Sequence, residues 1–436
     1  MARAREILRS GSWLTGERIR LVAAAILIAS VAGLLYLVVT AHGLVDIQGR
    51  PLGTDFSSFY AAGTYVLDGD PEAPFDVARQ HAREQDIFGK ATPFYSWFYP
   101  PVFLAVAAVL ALMPYGLALA LWQAVTLGLY LLTIRTILRR SLRGARSPAA
   151  AYDWLLLALA FPAVLINIGH GQNGFLTAAL LGTALLKLNR APLAAGVLFG
   201  LLAYKPQFGL MIPIALAANG HWRSFAAAAA TVAGLVVATT LAFGPQVWPA
   251  FFDSTRIARL AVEQGGVDWY KMQSVFAWAR MWNAPIPLAY ALQGTLIVTV
   301  GGALAWLWRG RAPYALKAAA LCLAVIPATP FAADYDMMVL APAITFLAAD
   351  GLRRGFAPWE KTALAALWLT PLVARSIAQI TLIPLGVPAI LAMFILLLQR
   401  TTGDFASAMA FPDTATKMTG STHRMASGHD IAAFKS

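Results

Sequence analysis

Long apolar runs alternate with short polar connections over most of the chain. The runs lie near residues 21–40, 98–113, 116–138, 152–169, 174–188, 192–219, 224–243, 286–308, 313–331, 336–349, 360–380 and 384–399. About 20 apolar residues in a helix cross the hydrocarbon core of a bilayer, and most of these runs approach or exceed that length. The pattern therefore predicts an all-α, polytopic membrane protein.

Two of the runs need separate interpretation. The run 192–219 is interrupted at Lys205-Pro206 and has basic residues at both ends, which predicts a hairpin of two short helices with Lys205 at its outer apex. The run 98–113 is short and bounded by prolines, and counting it as a crossing would place the arginine-rich stretch 135–146 outside. Because that would break the positive-inside rule, we predict a re-entrant or interfacial helix there.

With these two assignments the chain crosses the membrane about 12 times and both termini are cytoplasmic. Most of the 33 Lys and Arg residues then lie inside, and most of the 21 acidic residues lie outside. Residues 1–400 form a single transmembrane domain with large outer loops at about 41–97 and 244–285. Residues 401–436 are rich in Ser, Thr, Gly and Ala and are predicted to be a disordered cytoplasmic tail.

The composition supports the membrane assignment and excludes several functions. The chain is 59% hydrophobic and only 12% charged, so the net charge of +12 fits basic cytoplasmic loops and does not indicate a nucleic-acid partner. The single cysteine, Cys322, excludes an intramolecular disulfide and a cysteine metal site. No cleavage site follows the first run, which predicts an uncleaved helix. No Walker, HExxH or GxSxG motif supports ATP-driven or hydrolytic chemistry.

Polar residues that are costly in lipid collect on the outer side of this topology. They come from six separate segments: Asp55, the turn Gly-His-Gly-Gln-Asn-Gly at 169–174, Lys205 with Gln207, Arg256 with Arg259, Gln273 with Ser274, and Asp334 with Asp336. A pore would instead need polar residues at several depths. The distribution predicts a binding or catalytic site at the outer face.

Each of these residues also has a structural interpretation. Asp55 is either the N-cap of an amphipathic helix that Phe56, Phe59 and Tyr60 anchor at the interface, or a catalytic base, and the two roles are compatible. Lys205 either extends to the outer interface or binds an anion such as a lipid phosphate. Each of the remaining residues is either an ordinary loop or helix-cap residue or a ligand of the substrate: His170, Gln172, Asp336, Arg256 and Arg259.

The order of several motifs resembles glycosyltransferase family 87. The motifs are TDFSSFYAAGTYVLDGDPEAPFD, FYPPVFLAVAAVLALMP, GHGQNG, YKPQFGL and KMQSVFAWAR, and the resemblance extends from about residue 21 to 349. Each motif is short, so the resemblance depends on their order and spacing. The family comprises polyprenyl-phosphate-sugar-dependent transferases of the GT-C superfamily, which implies a GT-C type fold with juxtamembrane helices in the first outer loop, here over 56–67, 76–88 and 98–113.

The resemblance also implies roles for the outer residues. An acidic residue in the first outer loop is the base of GT-C enzymes, and here that residue is Asp55. We expect donor-phosphate contacts from Lys205, Arg256 and Arg259. We expect substrate contacts from a larger set: Tyr60, His170, Gln172, Gln207, Gln273 and Asp336. Because Thr54 and Phe56 flank Asp55 where some relatives carry a second acid, we expect no metal and no other cofactor.

The predicted function is that of an inverting hexosyltransferase, with mannose as one candidate sugar. It moves the sugar from a polyprenyl-phosphate donor to a lipid or glycan acceptor at the outer, periplasmic face of a bacterial plasma membrane. A phosphate is a good leaving group, so one carboxylate base suffices, and a single displacement inverts the anomeric carbon. The alternatives are a lipid or sugar transporter or flippase without covalent chemistry, and an oligosaccharide ligase or acyltransferase.

Overall fold

The computed structural model describes residues 2–142 and 150–409, and within these ranges every element is a helix. The α-helices are α1 Ala2–Ser10, α2 Gly16–Val39, α3 Thr54–Leu67, α4 Val77–Phe88, α5 Leu104–Ala111, α6 Tyr115–Ser141, α7 Ala150–Leu159, α8 Pro162–His170, α9 Gly174–Lys187, α10 Pro192–Gly200, α11 Met211–Ala218, α12 Trp222–Phe243, α13 Val247–Gln264, α14 Val275–Met281, α15 Ile286–Arg309, α16 Tyr314–Val325, α17 Leu340–Arg354, α18 Glu360–Thr381 and α19 Gly386–Met409. Short 3₁₀ turns join several of them. The predicted all-α class is confirmed.

Within residues 2–142 and 150–409, six helical segments are long and apolar enough to cross a membrane: α2, α6, α12, α15, α18 and the continuous stretch Asp334–Arg354 that ends in α17. A seventh span forms if α7 and α8, which meet at a 47° bend, are counted together. Shorter apolar helices of 10–17 residues occupy the other apolar runs. The chain is therefore a multi-pass membrane protein, and the expected number of about 12 crossings stays a prediction.

The two unusual runs and the first outer loop fold as helices at the predicted places. The run 192–219 breaks into α10 and α11, with Lys205 between two 3₁₀ turns. In the first loop, α3 and α4 match the helices expected over 56–67 and 76–88, whereas the helix expected over 98–113 is shorter, a 3₁₀ turn at Pro101–Phe103 followed by α5. At the other end of the chain, α19 extends to Met409, and the rest of the expected tail, 410–436, lies outside the described residues.

Helix α3 is packed inside the protein and does not lie on its surface. Phe56 and Phe59 are fully buried, and the ring of Phe59 meets those of Tyr99 and Phe103 edge-on at centroid distances of 5.2 and 5.1 Å. The interpretation of Phe56 and Phe59 as interface anchors is wrong, because α4, α5 and α8 cover the apolar face of α3. The N-cap of α3 is Gly53, so Asp55 does not cap the helix.

The two ends of the bundle differ in charge. Helices α6, α15 and α17 all carry arginines in their last turn, and we call this the arginine-rich end. There Arg400 of α19 is almost fully buried and forms ion pairs with Asp350 and Glu360. These pairs tie α19 to α17 and α18, since removing one partner would leave a buried charge unmatched. We call the opposite end, where α3 begins, the Asp55 end.

Close packing between α3 and α5 depends on Gly63. A Cβ atom at this position would overlap the carbonyl oxygen of Ala107 in α5. We expect Gly63→Ala to lower the stability of the folded protein by about 1–3 kcal/mol, because the two helices would have to separate. The matched control is Gly128→Ala in α6, where the added methyl group meets nothing. Thermal unfolding in detergent should show a lower midpoint for the first variant only, and equal midpoints would contradict this account of the packing.

Candidate active site

The site at the Asp55 end is built around the turn between α8 and α9. The side-chain amide of Asn167 donates to the carbonyl of Gln172 at 3.0 Å, and its oxygen accepts from the Gly174 N–H at 2.8 Å. Gly171 has a φ of 65°, and a Cβ atom there would overlap Phe56 of α3. The glycine is therefore required both by the left-handed backbone and by the close approach of α3.

Asp55 lies in the first turn of α3 and faces this turn. Its Oδ2 accepts a hydrogen bond from Gln172 Nε2 at 2.8 Å. The oxygen of the same amide accepts from the Tyr99 hydroxyl and from the Asn173 N–H, each at 3.1 Å. These two donors fix the orientation of the Gln172 amide, so that its NH₂ group points at the carboxylate.

His170 lies on the other side of the carboxylate. Its Nδ1 is 2.7 Å from the Thr54 hydroxyl and 3.6 Å from Asp55 Oδ1. Its Nε2 is 3.5 Å from Arg375 Nη2, at the limit of a hydrogen bond. The imidazole therefore has one nitrogen toward Thr54 and Asp55 and the other toward Arg375.

Arg375 of α18 completes a row of charged groups that begins at Asp55. Its Nε and Nη2 lie 2.8 and 2.6 Å from Oδ2 of Asp334, which is buried. The side chains of Asp55, His170 and Arg375 are 25%, 27% and 37% exposed, so these three remain accessible to a substrate. Sequence reasoning missed Arg375 as a site residue. The available signal was an arginine near the outer end of the apolar run 360–380.

Lys205 forms a second, buried ion pair behind this row. Its Nζ is 2.5 Å from Asp336 Oδ1, and both side chains are only 3% exposed. The other oxygen of Asp336 accepts from the Ala333 N–H at 2.9 Å. The expected phosphate ligand thus already has an anionic partner in this structure. The pair connects the α10–α11 hairpin to the 3₁₀ turn that precedes α17.

The remaining candidates lie apart from Asp55 or have other partners. Arg256 and Arg259 are exposed on α13, where their nearest acids are Asp253 and Glu263 of the same helix, at 3.8 and 3.6 Å. Three predicted substrate ligands remain. The Tyr60 hydroxyl donates to the Met113 carbonyl at 2.9 Å, and the side chain of the buried Gln273 accepts from the Gly386 N–H at 3.0 Å. Gln207 is half-buried in the turn after Lys205. No group of three or more His, Cys, Asp and Glu side chains within 2–142 and 150–409 is arranged for a metal ion.

The surroundings of Asp55 keep it ionised. Burial acts to raise the pKa of its carboxyl group, but His170, the Gln172 amide and the charge of Lys205 together outweigh it, and the pKa lies below its ordinary value. At neutral pH the group is a carboxylate that can accept a hydrogen bond from an approaching hydroxyl. A general base needs this protonation state together with access to the substrate.

A second acid of the first loop, Glu84 in α4, has the opposite character. It is fully buried and accepts hydrogen bonds from the Tyr95 N–H at 2.9 Å and from the Gln80 amide at 3.3 Å. Burial raises its pKa to about 8, and the charge of Asp55 acts in the same direction. Glu84 is therefore largely protonated at neutral pH. Nothing in the sequence distinguished it from the exposed acids around it.

The fold and this site together define a multi-pass helical membrane protein with ionisable side chains gathered at one end of the bundle. The sequence model of glycosyltransferase family 87 matches residues 97–332, which is more than half of the chain. The chain belongs to glycosyltransferase family 87, and it is a glycosyltransferase.

The family match contains part of the site and leaves part outside. His170, Gln172 and Lys205 lie within residues 97–332, whereas Asp55, Asp334 and Arg375 do not. Searches of curated proteins and of solved structures found no match. The family membership supports the transferase hypothesis over the transporter and ligase alternatives.

The raised pKa of Glu84 predicts a pH dependence of stability. Between pH 4.5 and about 8 the unfolded chain has lost this proton while the folded protein keeps it, so the free energy of unfolding falls as pH rises through that interval. The slope from this group approaches about 1.4 kcal/mol per pH unit. We expect Glu84→Gln to flatten the fall in unfolding temperature between pH 5 and pH 8. The exposed acid Asp86 provides the control Asp86→Asn, and identical pH profiles for all three proteins would refute the assignment.

Proposed function

We propose that the protein transfers a hexose from a polyprenyl-phosphate donor to a hydroxyl group of a lipid or glycan acceptor, with inversion at the anomeric carbon. One observation carries this proposal. Asp55 is an accessible, ionised carboxylate, and His170 and Arg375 provide positive charge or donors on one side of it. A base next to a cationic region suits a reaction in which a hydroxyl group loses a proton while a phosphate leaves.

In the proposed reaction the acceptor oxygen forms a bond to the anomeric carbon as the bond from that carbon to the phosphate oxygen breaks. The electron pair of the broken bond stays on the phosphate. The proton of the acceptor hydroxyl moves to a carboxylate oxygen of Asp55. No acid has to protonate the leaving group, since a phosphate is stable as an anion, and the single displacement inverts the configuration of the sugar.

Arg375 and His170 are the proposed ligands of the donor phosphate. Both are partly exposed: His170 lies 3.6 Å from Asp55, and Arg375 lies next to His170. In this proposal Lys205 is buried and does not contact the donor, and its positive charge helps to lower the pKa of Asp55. This assignment replaces Arg256 and Arg259, which are exposed on α13 and form no ion pair or hydrogen bond with Asp55, His170 or Arg375. In the proposal these side chains neutralise the phosphate charge, and no metal is needed.

The Asp55 end is proposed to face the periplasm of a bacterial cell, with both termini in the cytoplasm. The arginines in the last turns of α6, α15 and α17 support this orientation, because basic residues accumulate on the cytoplasmic side of membrane proteins. A donor anchored in the outer leaflet would reach Asp55 through the first loop. Mannose is one candidate for the transferred sugar.

The base assignment predicts the effect of Asp55→Asn. The variant should fold and insert normally but transfer sugar about 10²–10⁴-fold more slowly, because an amide cannot take the acceptor proton. The assay incubates purified protein with polyprenyl-phosphate hexoses and extracted lipids and follows the products by mass spectrometry, with the product anomer determined by NMR. Asp253→Asn on the exposed face of α13 is the control. Transfer at the wild-type rate by the Asp55 variant would remove Asp55 as the base.

The phosphate assignment predicts the effect of Arg375→Lys. Lysine keeps the positive charge opposite the buried Asp334. It lacks the planar guanidinium group, which can contact Asp334 and a phosphate at the same time. We expect the KM for the donor to rise about tenfold or more while the unfolding temperature changes little, since a bidentate contact to phosphate is lost. Arg256→Lys on α13 should leave the KM unchanged. An unaltered donor KM in the Arg375 variant would mean that the donor phosphate binds elsewhere.

A further inference from the structure

A large cleft opens at the arginine-rich end, far from the site described above. It lies between α6, α7, α17 and α18 and has a volume of about 720 Å³. Tightly packed protein interiors leave few voids larger than a water molecule, whereas ligand sites measure about 300–1,000 Å³. The cleft therefore has the size of a site for a ligand.

The inner wall of the cleft suits a hydrocarbon chain. Most of the lining side chains are aliphatic or aromatic. Three of the polar groups among them are already bonded within the protein: the Tyr130 hydroxyl donates to the Ala158 carbonyl at 3.1 Å, the Thr345 hydroxyl to Ala341 at 2.7 Å, and the Trp368 N–H to Leu157 at 3.3 Å. A polar ligand would find few free partners there, and an acyl chain needs none.

The cleft also has a cationic rim. Arg135 and Arg139 line it one turn apart on α6, and both are exposed. The acids at this end are already engaged, since Asp153 of α7 forms a bidentate pair with Arg20 at 2.8 and 2.9 Å and Asp350 pairs with two other arginines. Within the part of the chain that the structure describes, neither Arg135 nor Arg139 has a carboxylate partner. An anionic headgroup would complement them.

The cleft is separate from the Asp55 site. Trp122 of α6 marks the level of that site, because its N–H donates to the Gly171 carbonyl at 3.0 Å. Arg135 follows thirteen residues later in the same helix, which corresponds to about 20 Å along its axis. A headgroup bound at Arg135 cannot at the same time present its phosphate to Arg375.

We propose that this cleft binds an anionic phospholipid of the surrounding bilayer, with an acyl chain in the space between α6, α7, α17 and α18 and its phosphate at Arg135 and Arg139. The bound lipid fills the space left by the bend between α7 and α8 and links those helices to α6 and α17. The proposal does not depend on the assignment of Asp55 or of the donor, since it concerns the opposite end of the bundle.

Native mass spectrometry of the full chain tests the proposal. The purified protein is delipidated in mild detergent and titrated separately with phosphatidylglycerol and phosphatidylcholine. We expect one phosphatidylglycerol per chain at concentrations where phosphatidylcholine does not bind. Removing both charges in the double variant Arg135→Ala, Arg139→Ala should weaken phosphatidylglycerol binding about thirtyfold. The control double variant Arg309→Ala, Arg311→Ala, at the exposed end of α15, should bind as the wild type does.

A second variant tests the cleft without touching its charges. Ala348→Phe places a ring in the cleft and should also abolish specific binding, whereas Val298→Phe on the exposed surface of α15 should not. If a variant fails to purify in folded form, a phosphatidylglycerol with a photoreactive acyl chain can be crosslinked to the wild type, where labelling should map to peptides that contain Phe161 or Trp368. Equal binding of the two lipids, binding that survives both changes to the cleft, or labelling confined to other helices would overturn the proposal.

Discussion

An ionised carboxylate inside an apolar helical bundle has to be matched by donors or positive charge, and the Asp55 end of this protein is organised around that requirement. Gln172 and His170 approach Asp55 from two sides, and Arg375 lies beyond the imidazole. These groups come from helices that are distant in sequence. Contacts to one carboxylate therefore join α3 to the α8–α9 turn, and the contact between His170 and Arg375 extends this arrangement to α18.

Apolar packing supplies the precision that this electrostatic arrangement needs. Phe56 and Phe59 are fully buried next to Asp55, so the first turn of α3 has little freedom to rotate. Gly171 lets the α8–α9 turn approach the backbone of α3, and Gly63 lets α5 approach from the other side. Phe56 and Phe59 thus serve the site by holding its carboxylate in place.

The lengths of the apolar runs predicted where helices form, and Pro-containing breaks located the α10–α11 hairpin and the short helix α5. Topology also predicted that Asp55, His170 and Gln172 would share one end of the bundle.

The ion pairs between individual side chains were harder to predict. The pairing of Lys205 with Asp336 joins turns about 130 residues apart, and no local pattern specifies which cation meets which acid. Arg375 was not predicted as a site residue, because a single arginine in an apolar run resembles one whose side chain extends to the membrane interface. For Arg256 and Arg259, by contrast, the i,i+3 and i,i+4 spacing to Asp253 and Glu263 already indicated pairs within one helix.

The charges at the Asp55 end also fit the course of the proposed reaction. Before transfer, Asp55 is anionic and the donor phosphodiester carries one negative charge. As the acceptor proton reaches Asp55, that carboxyl group becomes neutral and the leaving phosphate gains the negative charge. The total charge of the site is unchanged. Negative charge moves from Asp55, which Gln172 contacts, to the phosphate, which the proposal places at Arg375. An imidazole with one nitrogen toward each group can stabilise both ends of this movement. Lys205 and Asp336 are paired with each other and buried, so they hold the surrounding turns in place without contacting the phosphate.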